Sequence, residues 1–270
     1  MARLDALGRC SAWEIISRCE ARTNRGILTG SMMNSTVSSR YRAILERINT
    51  AANSVGRSME EVKLVVVTKG HPVEAVRQAV TAGASAIGEN YLEEAEEKIR
   101  ALQGQPIEWR MIGHVQSRKA SGVCQNFDAV DSVDSLKLAQ RLDHFARERK
   151  RVLPVLLECN VSGEQTKSGF PAWQKPSWSQ LAVEFAQVTD LPNLDVRGLM
   201  TMPPYFDAPE QARPYFQMLV QLRDFLESQL PQVDWVDLSM GMSGDFEVAI
   251  QEGATMVRIG TAIMGERPLL

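Results

Sequence analysis

From residue 36 onward, short apolar runs alternate with longer stretches in which apolar residues recur every three or four positions. Runs of the first kind read as strands buried on both faces, and stretches of the second kind as helices with one apolar side. The pattern predicts strands at 62–68, 85–88, 108–113, 127–131, 152–160, 195–201, 234–239 and 256–260. It predicts helices at 72–82, 90–103, 116–123, 134–150, 175–189, 209–230 and 244–252, with a leading helix over 36–55. Such alternation specifies a parallel sheet, since each strand must return to the same edge through a helix. Eight parallel strands in this length suit a single closed (β/α)8 TIM barrel better than an open doubly wound sheet, and no Gly-x-Gly-x-x-Gly turn follows the first strand.

The first thirty-odd residues have another texture. Arg3, Arg9, Arg18, Arg22 and Arg25 are mixed with Asp5, Glu14 and Glu20, without the continuous apolar centre of a secretory signal, and the acids argue against a transit peptide. Met32 and Met33 stand just before the leading helix. The expected organisation is an N-terminal extension over 1–33, poorly ordered or belonging to a start upstream of the true one, and a barrel over 34–270.

Composition narrows the function. The 270 residues are 44% hydrophobic and 23% charged with a net charge of -3, which leaves no basic footprint for a nucleic-acid backbone. No run is long and apolar enough to span a membrane. Cys10, Cys19, Cys124 and Cys159 are scattered, with no Cys-x-x-Cys pair, so no disulfide framework is expected and a reducing compartment, the cytoplasm, is. His71, His114 and His144 lack metal-ligand spacing, and no metal is expected.

In a barrel of this kind the chemistry gathers at the C-terminal ends of the strands. Lys69, Asn90, His114, Asn160, Met200 with Thr201, Ser239 and Arg258 all fall at such ends. Lys69 closes the run Leu64-Val65-Val66-Val67-Thr68. Two readings fit it: a desolvated amine of lowered pKa, suited to condensing with an aldehyde, or a strand-end lysine that reaches water along its own methylene stem. The segment from Leu238 to Glu247, with Ser239, Gly241, Ser243 and Gly244, resembles an anion cradle that opens a helix at Ser243, or else a plain loop with Ser243 as its N-cap. Gly260 and Thr261 add a glycine and a hydroxyl beside it, after the last two strands, where such barrels often bind phosphate. Arg258 stands on an otherwise apolar strand and needs either a ligand or an internal partner such as Glu89, Asp237 or Glu158.

Taken in order, Val67-Thr68-Lys69, Ile87-Gly88-Glu89-Asn90-Tyr91, the run from Met111 to Lys119, the run from Ser162 to Gly169, Gly198-Leu199-Met200-Thr201-Met202 and the two C-terminal segments resemble the pyridoxal phosphate homeostasis protein family over residues 36–266. The resemblance implies the barrel of fold-type III proteins that bind pyridoxal 5'-phosphate (PLP), like that of alanine racemase but without its C-terminal β-domain, so that nothing closes over the mouth. It implies PLP held as an internal aldimine on Lys69, a phosphate cradle of Ser239, Ser243, Gly260 and Thr261, Arg258 facing the pyridine nitrogen, and Asn90 and Met200 lining the ring. His114, Lys119 and Lys167 lie in family motifs with no role assigned. Two departures stand out: Pro171 to Trp178 reads as an insertion, and Gly244 interrupts a stretch often acidic in relatives.

The function so implied is PLP and amino-acid homeostasis with little or no turnover, by a monomer that exchanges PLP and has amino acids and apo-PLP enzymes as candidate partners. An arginine at the pyridine nitrogen leaves that nitrogen unprotonated and the ring a weaker electron sink. The alternatives are a racemase-like enzyme using Lys69 as base, and a Schiff-base aldolase or phosphosugar enzyme without PLP.

Overall fold

In a computed structural model, which describes residues 36–267, the apolar runs form eight strands: β1 (Lys63–Val67), β2 (Ala86–Glu89), β3 (Glu108–Met111), β4 (Ala129–Val133), β5 (Leu153–Asn160), β6 (Leu194–Met200), β7 (Asp237–Ser239) and β8 (Met256–Ile259). The expected extension over 1–33 lies outside the described residues. Each strand pairs in parallel with its neighbour in the sequence. The ring closes where β1 meets β8, with Lys63 opposite Met256 and Val66 opposite Ile259. The chain therefore builds the expected (β/α)8 barrel.

Helices cover the outside: α1 (Val37–Asn53), α2 (Val73–Thr81), α3 (Leu92–Ala101), α4 (Ala120–Asn126), α5 (Leu136–Glu148), α6 (Trp178–Thr189), α7 (Arg213–Gln229), α8 (Phe246–Gln251) and the short α9 (Thr261–Met264). Their starts follow from local chemistry. The Thr36 hydroxyl accepts the Ser39 N–H at 3.2 Å and caps α1, and Ser135 does the same for α5 through Leu138. In α1 the buried residues Tyr41, Ile44, Ile48 and Ala51 recur every three or four positions and turn one face to the barrel.

Two cores result. A large one lies between strands and helices, with Phe127, Phe170, Phe185, Phe216 and Phe246 fully buried. A smaller layer of Val65, Ala86, Leu156, Met200 and Met256 is separate from it. Arg110 of β3 forms a buried fork with Asp131 of β4: Nε lies 3.1 Å from both carboxylate oxygens and Nη2 lies 2.6 Å from Oδ1. Glu108 takes the Arg110 Nη1.

Four of the departures from the predicted pattern have a clear local cause. A two-residue strand, Phe170–Pro171, pairs with the end of β5 inside the segment read as an insertion, and Trp178 donates its indole N–H to the Ala172 carbonyl at 2.9 Å. The strand expected at 127–131 begins two residues later, because Phe127 caps α4 and is buried there. The strand expected at 234–239 shrinks to three residues, since Trp235 turns into the core and donates to the Leu230 carbonyl. The helix expected from Ser243 begins at Phe246, where the Asp245 carboxylate takes the Met242 N–H at 2.6 Å and holds residues 243–245 in a turn.

Candidate functional site

The strand ends converge on a cavity of about 290 Å³ at the C-terminal mouth. Lys69, Asn90, Ser243, Arg258, Gly260 and Thr261 line it together, although they come from four different strand-to-helix junctions. Met200 and Ser239 are fully buried and are not part of the lining. Ser239 Oγ accepts an Arg258 hydrogen bond at 2.8 Å and so helps to hold Arg258 at the cavity.

Arg258 is held from both sides. Nη1 donates to Ser239, Nη2 donates to the Thr201 carbonyl at 2.8 Å, and Nε has no hydrogen-bond partner among the described residues. None of Glu89, Asp237 and Glu158 forms an ion pair with it, so the internal-partner reading fails in favour of neutral acceptors. Burial presses its pKa down, while Asp131, Glu158 and Asp245 work against that shift.

Lys69 follows directly on β1 and Thr68. Burial lowers its pKa, and the charges of Arg267 and Arg258 push it further down against Glu89 and Glu94. A lysine shifted this way carries more free amine at neutral pH than an exposed one. Asn90 is placed by a close approach: a Cβ on Gly113 would sit 2.4 Å from the Asn90 carbonyl oxygen, so only glycine lets the β2 and β3 ends come this near. The Asn90 side-chain oxygen is buried without a hydrogen-bond partner. On the far wall, Ser243 Oγ accepts the Ala262 N–H at 3.4 Å, which joins the two halves of the expected cradle. Gly244 borders the same wall, and open space surrounds the position of its missing side chain.

Met202, Tyr205, Phe206 and Arg267 line the cavity without being among the expected ligands, and of these only Met202 lies in one of the motifs that carry the resemblance. Met202, Tyr205 and Phe206 come from the β6–α7 loop, and Tyr205 is 84% exposed at the mouth. Arg267 comes from beyond α9 and lies against Gly70 at the mouth. The other motif residues lie elsewhere. His114, bonded to Asp134 at 2.8 Å, and Lys119, paired with Glu93, border a neighbouring cavity that shares Asn90. Lys167 donates to the Met202 carbonyl and pairs with Glu164.

Glu158 of β5 is buried, and its pKa is pushed up to about 7, first by burial and then by Asp134, against Arg258 and His114. A carboxyl whose folded pKa is raised binds its proton more tightly in the folded state, so stability falls as pH rises from the unfolded value to the folded one. Relative to Glu158→Gln, the wild type is expected to lose about 3 kcal/mol between about pH 4.5 and pH 7. Above pH 7 the difference should be constant, which urea denaturation at a series of pH values will show.

Comparison with known proteins points the same way. The alanine racemase N-terminal domain model matches residues 40–268. A pyridoxal phosphate homeostasis protein of Aquifex aeolicus is 41% identical over 228 residues, covering 84% of this chain and 97% of that protein. One from Vibrio alginolyticus is 40% identical over 237 residues, covering 86% and 98%. Among solved structures, PipY of Synechococcus elongatus with PLP bound superposes with a TM-score of 0.71 at 33% identity, over 82% of this chain and all of that one. Alanine racemase of Clostridium difficile shares the fold alone, with a TM-score of 0.62 at 18% identity over 85% and 57%.

Proposed function

The chain belongs to the pyridoxal phosphate homeostasis protein family, and on that premise we propose that it holds PLP reversibly through a Schiff base on Lys69 and serves PLP and amino-acid homeostasis with little turnover. The observation that carries this reading is a lysine of lowered pKa in one cavity with a buried arginine whose Nε is unspent.

The residues present fit the cofactor. The Asn90 oxygen is buried and lacks a donor, and the lining holds cations and hydroxyls with one carboxylate, Asp245, which is already engaged by the Met242 N–H. Ser243, Gly260 and Thr261 would hold the phosphate, Arg258 the pyridine nitrogen, and Lys69 the aldehyde carbon. Bound there, PLP supplies an aldehyde and an electron-withdrawing ring.

The chain's own groups limit the chemistry open to the site. Arg258 donates hydrogen bonds and keeps its protons, so it gives none to the ring nitrogen. Racemisation needs a second proton-handling group placed opposite Lys69. The lining side chains with that chemistry are Tyr205, which stands mostly in solvent, and Asp245, whose carboxylate is engaged by the Met242 N–H. We therefore favour a carrier over a racemase, acting as a cytoplasmic monomer that exchanges PLP with amino acids or apo-PLP enzymes. No helix among the described residues is long and apolar enough to cross a membrane.

The test is the visible spectrum of the protein after addition of PLP, then borohydride reduction and peptide mass mapping. A visible imine band with the reduced adduct on Lys69, and no racemisation of amino acids above background, is the expected result. A protein that stays colourless and yields no adduct overturns the reading, and steady racemisation would move it to the enzyme.

A further inference from the structure

We propose that Lys98 is a positioning residue for Lys69: with Glu94 it pins the peptide groups on both sides of Lys69 and so fixes where the Lys69 amine enters the cavity. The inference rests on the covalent role given to Lys69 above. Lys98 lies on α3, is 3% exposed and does not line the cavity. Its Nζ donates to the Thr68 carbonyl at 2.7 Å, to Glu89 Oε1 at 2.6 Å and to Glu94 Oε1 at 2.5 Å. The same Glu94 oxygen accepts the N–H of Gly70 at 2.5 Å, and the Thr68 hydroxyl donates to Glu89. One buried ammonium thus holds the residue before Lys69 directly and the residue after it through a single carboxylate.

The backbone needs that hold. Gly70 has φ +74°, a left-handed conformation that glycine adopts freely, so the chain turns immediately after Lys69 at the residue least able to stiffen the turn itself. Lysine suits the task because an ammonium has three protons, and here all three have acceptors. An apolar side chain of similar volume would fill the space as well and avoid desolvating the charges, but it could not hold a peptide carbonyl.

The charges around both lysines allow placement to be separated from basicity. Lys69 is faced by Arg258 from β8, Arg267 from beyond α9, Glu89 from β2 and Glu94 from α3. Lys98 is faced by the two carboxylates and by His71 from the turn after β1. Glu94→Gln keeps an oxygen for the Gly70 N–H and removes a charge that raises the Lys69 pKa. Glu94→Ala removes both.

The experiment measures two things in the full-length protein. The first is the pH dependence of Lys69 acetylation by acetic anhydride without PLP, read by peptide mapping. The second is the rate at which the imine absorbance appears on adding PLP. Both Glu94 variants should show the acetylation midpoint moved down by the same amount. Glu94→Gln should take up PLP within about threefold of wild type and Glu94→Ala about tenfold or more slower, the penalty of a misplaced reacting group. Lys98→Met should be slow too, with partial rescue in Lys98→Arg. Equal uptake by the two Glu94 variants overturns the inference, as does wild-type uptake by a folded Lys98→Met. If Lys98→Met does not fold, the Glu94 pair decides. A wild type that takes up no PLP on Lys69 overturns the covalent reading and this inference with it.

Discussion

Lys69→Ala is expected to abolish the borohydride-trapped adduct and the imine absorbance, and to weaken PLP retention by about a hundredfold or more. The rest of the wall survives the change. Arg258 keeps its bonds to Ser239 and Thr201, and Ser243 keeps its link to Ala262, so weak noncovalent binding should persist. Equilibrium dialysis of PLP against wild type and variant separates the two components. The fold should tolerate the loss, because the Lys69 ammonium has no ion-pair partner within the described residues, whereas the neighbouring Lys98 has two. Lys69→Arg is the companion control: it retains a positive charge but cannot condense with an aldehyde, and it should fail the trapping assay as completely as alanine does. An adduct that persists in Lys69→Ala, mapped to another lysine, would end the covalent assignment.

Asp131→Ala is expected to be the most damaging of the single substitutions considered for stability, at about 3–5 kcal/mol. Arg110 and Asp131 are both buried, and the carboxylate receives three contacts from the guanidinium. Burial opposes the Arg110 charge, and Asp131 and Glu108 outweigh it in the wild type; without Asp131 the guanidinium still keeps its proton near neutral pH and is left charged and buried. Glu108 remains, one-third exposed, and cannot replace a fully buried fork. The double variant Arg110→Met with Asp131→Leu should recover most of the loss, because a buried ion pair replaced whole is close to neutral while a broken one strands a charge. Urea midpoints for wild type, Arg110→Met, Asp131→Leu and the double variant measure the coupling; a double variant no better than Asp131→Leu would mean that packing, not the stranded charge, sets the cost.

The barrel was legible because its strands are buried on both faces and read as unbroken apolar runs between amphipathic segments. Lys69, Asn90 and Arg258 were legible as polar residues ending or interrupting such runs. What the sequence hid depends on side chains that leave their expected face. Lys98 belongs to a helix of mixed charge, Glu93 to Arg100, whose pattern reads as a solvated surface, yet it turns inward to three acceptors. Ser239 looked like a ligand hydroxyl, but three-dimensional placement gives it to Arg258. Arg267 sits in a tail without periodicity, and only its packing on Gly70 brings it to the mouth. Trp235 shortened β7 by choosing the core over the ladder.

The seam between β1 and β8 has a consequence for biosynthesis. Lys69 leaves the ribosome nearly two hundred residues before Arg258, and β1, which Lys69 follows, pairs with β8, which carries Arg258, only when that last strand arrives. A growing chain therefore exposes Lys69 long before it owns the arginine or the Gly260–Thr261 wall, and it can offer a complete pocket only once the ring is shut. Any ligand that prefers the shut ring adds its binding free energy to that final pairing, so the supply of the ligand would be registered at the moment the newly made protein finishes folding.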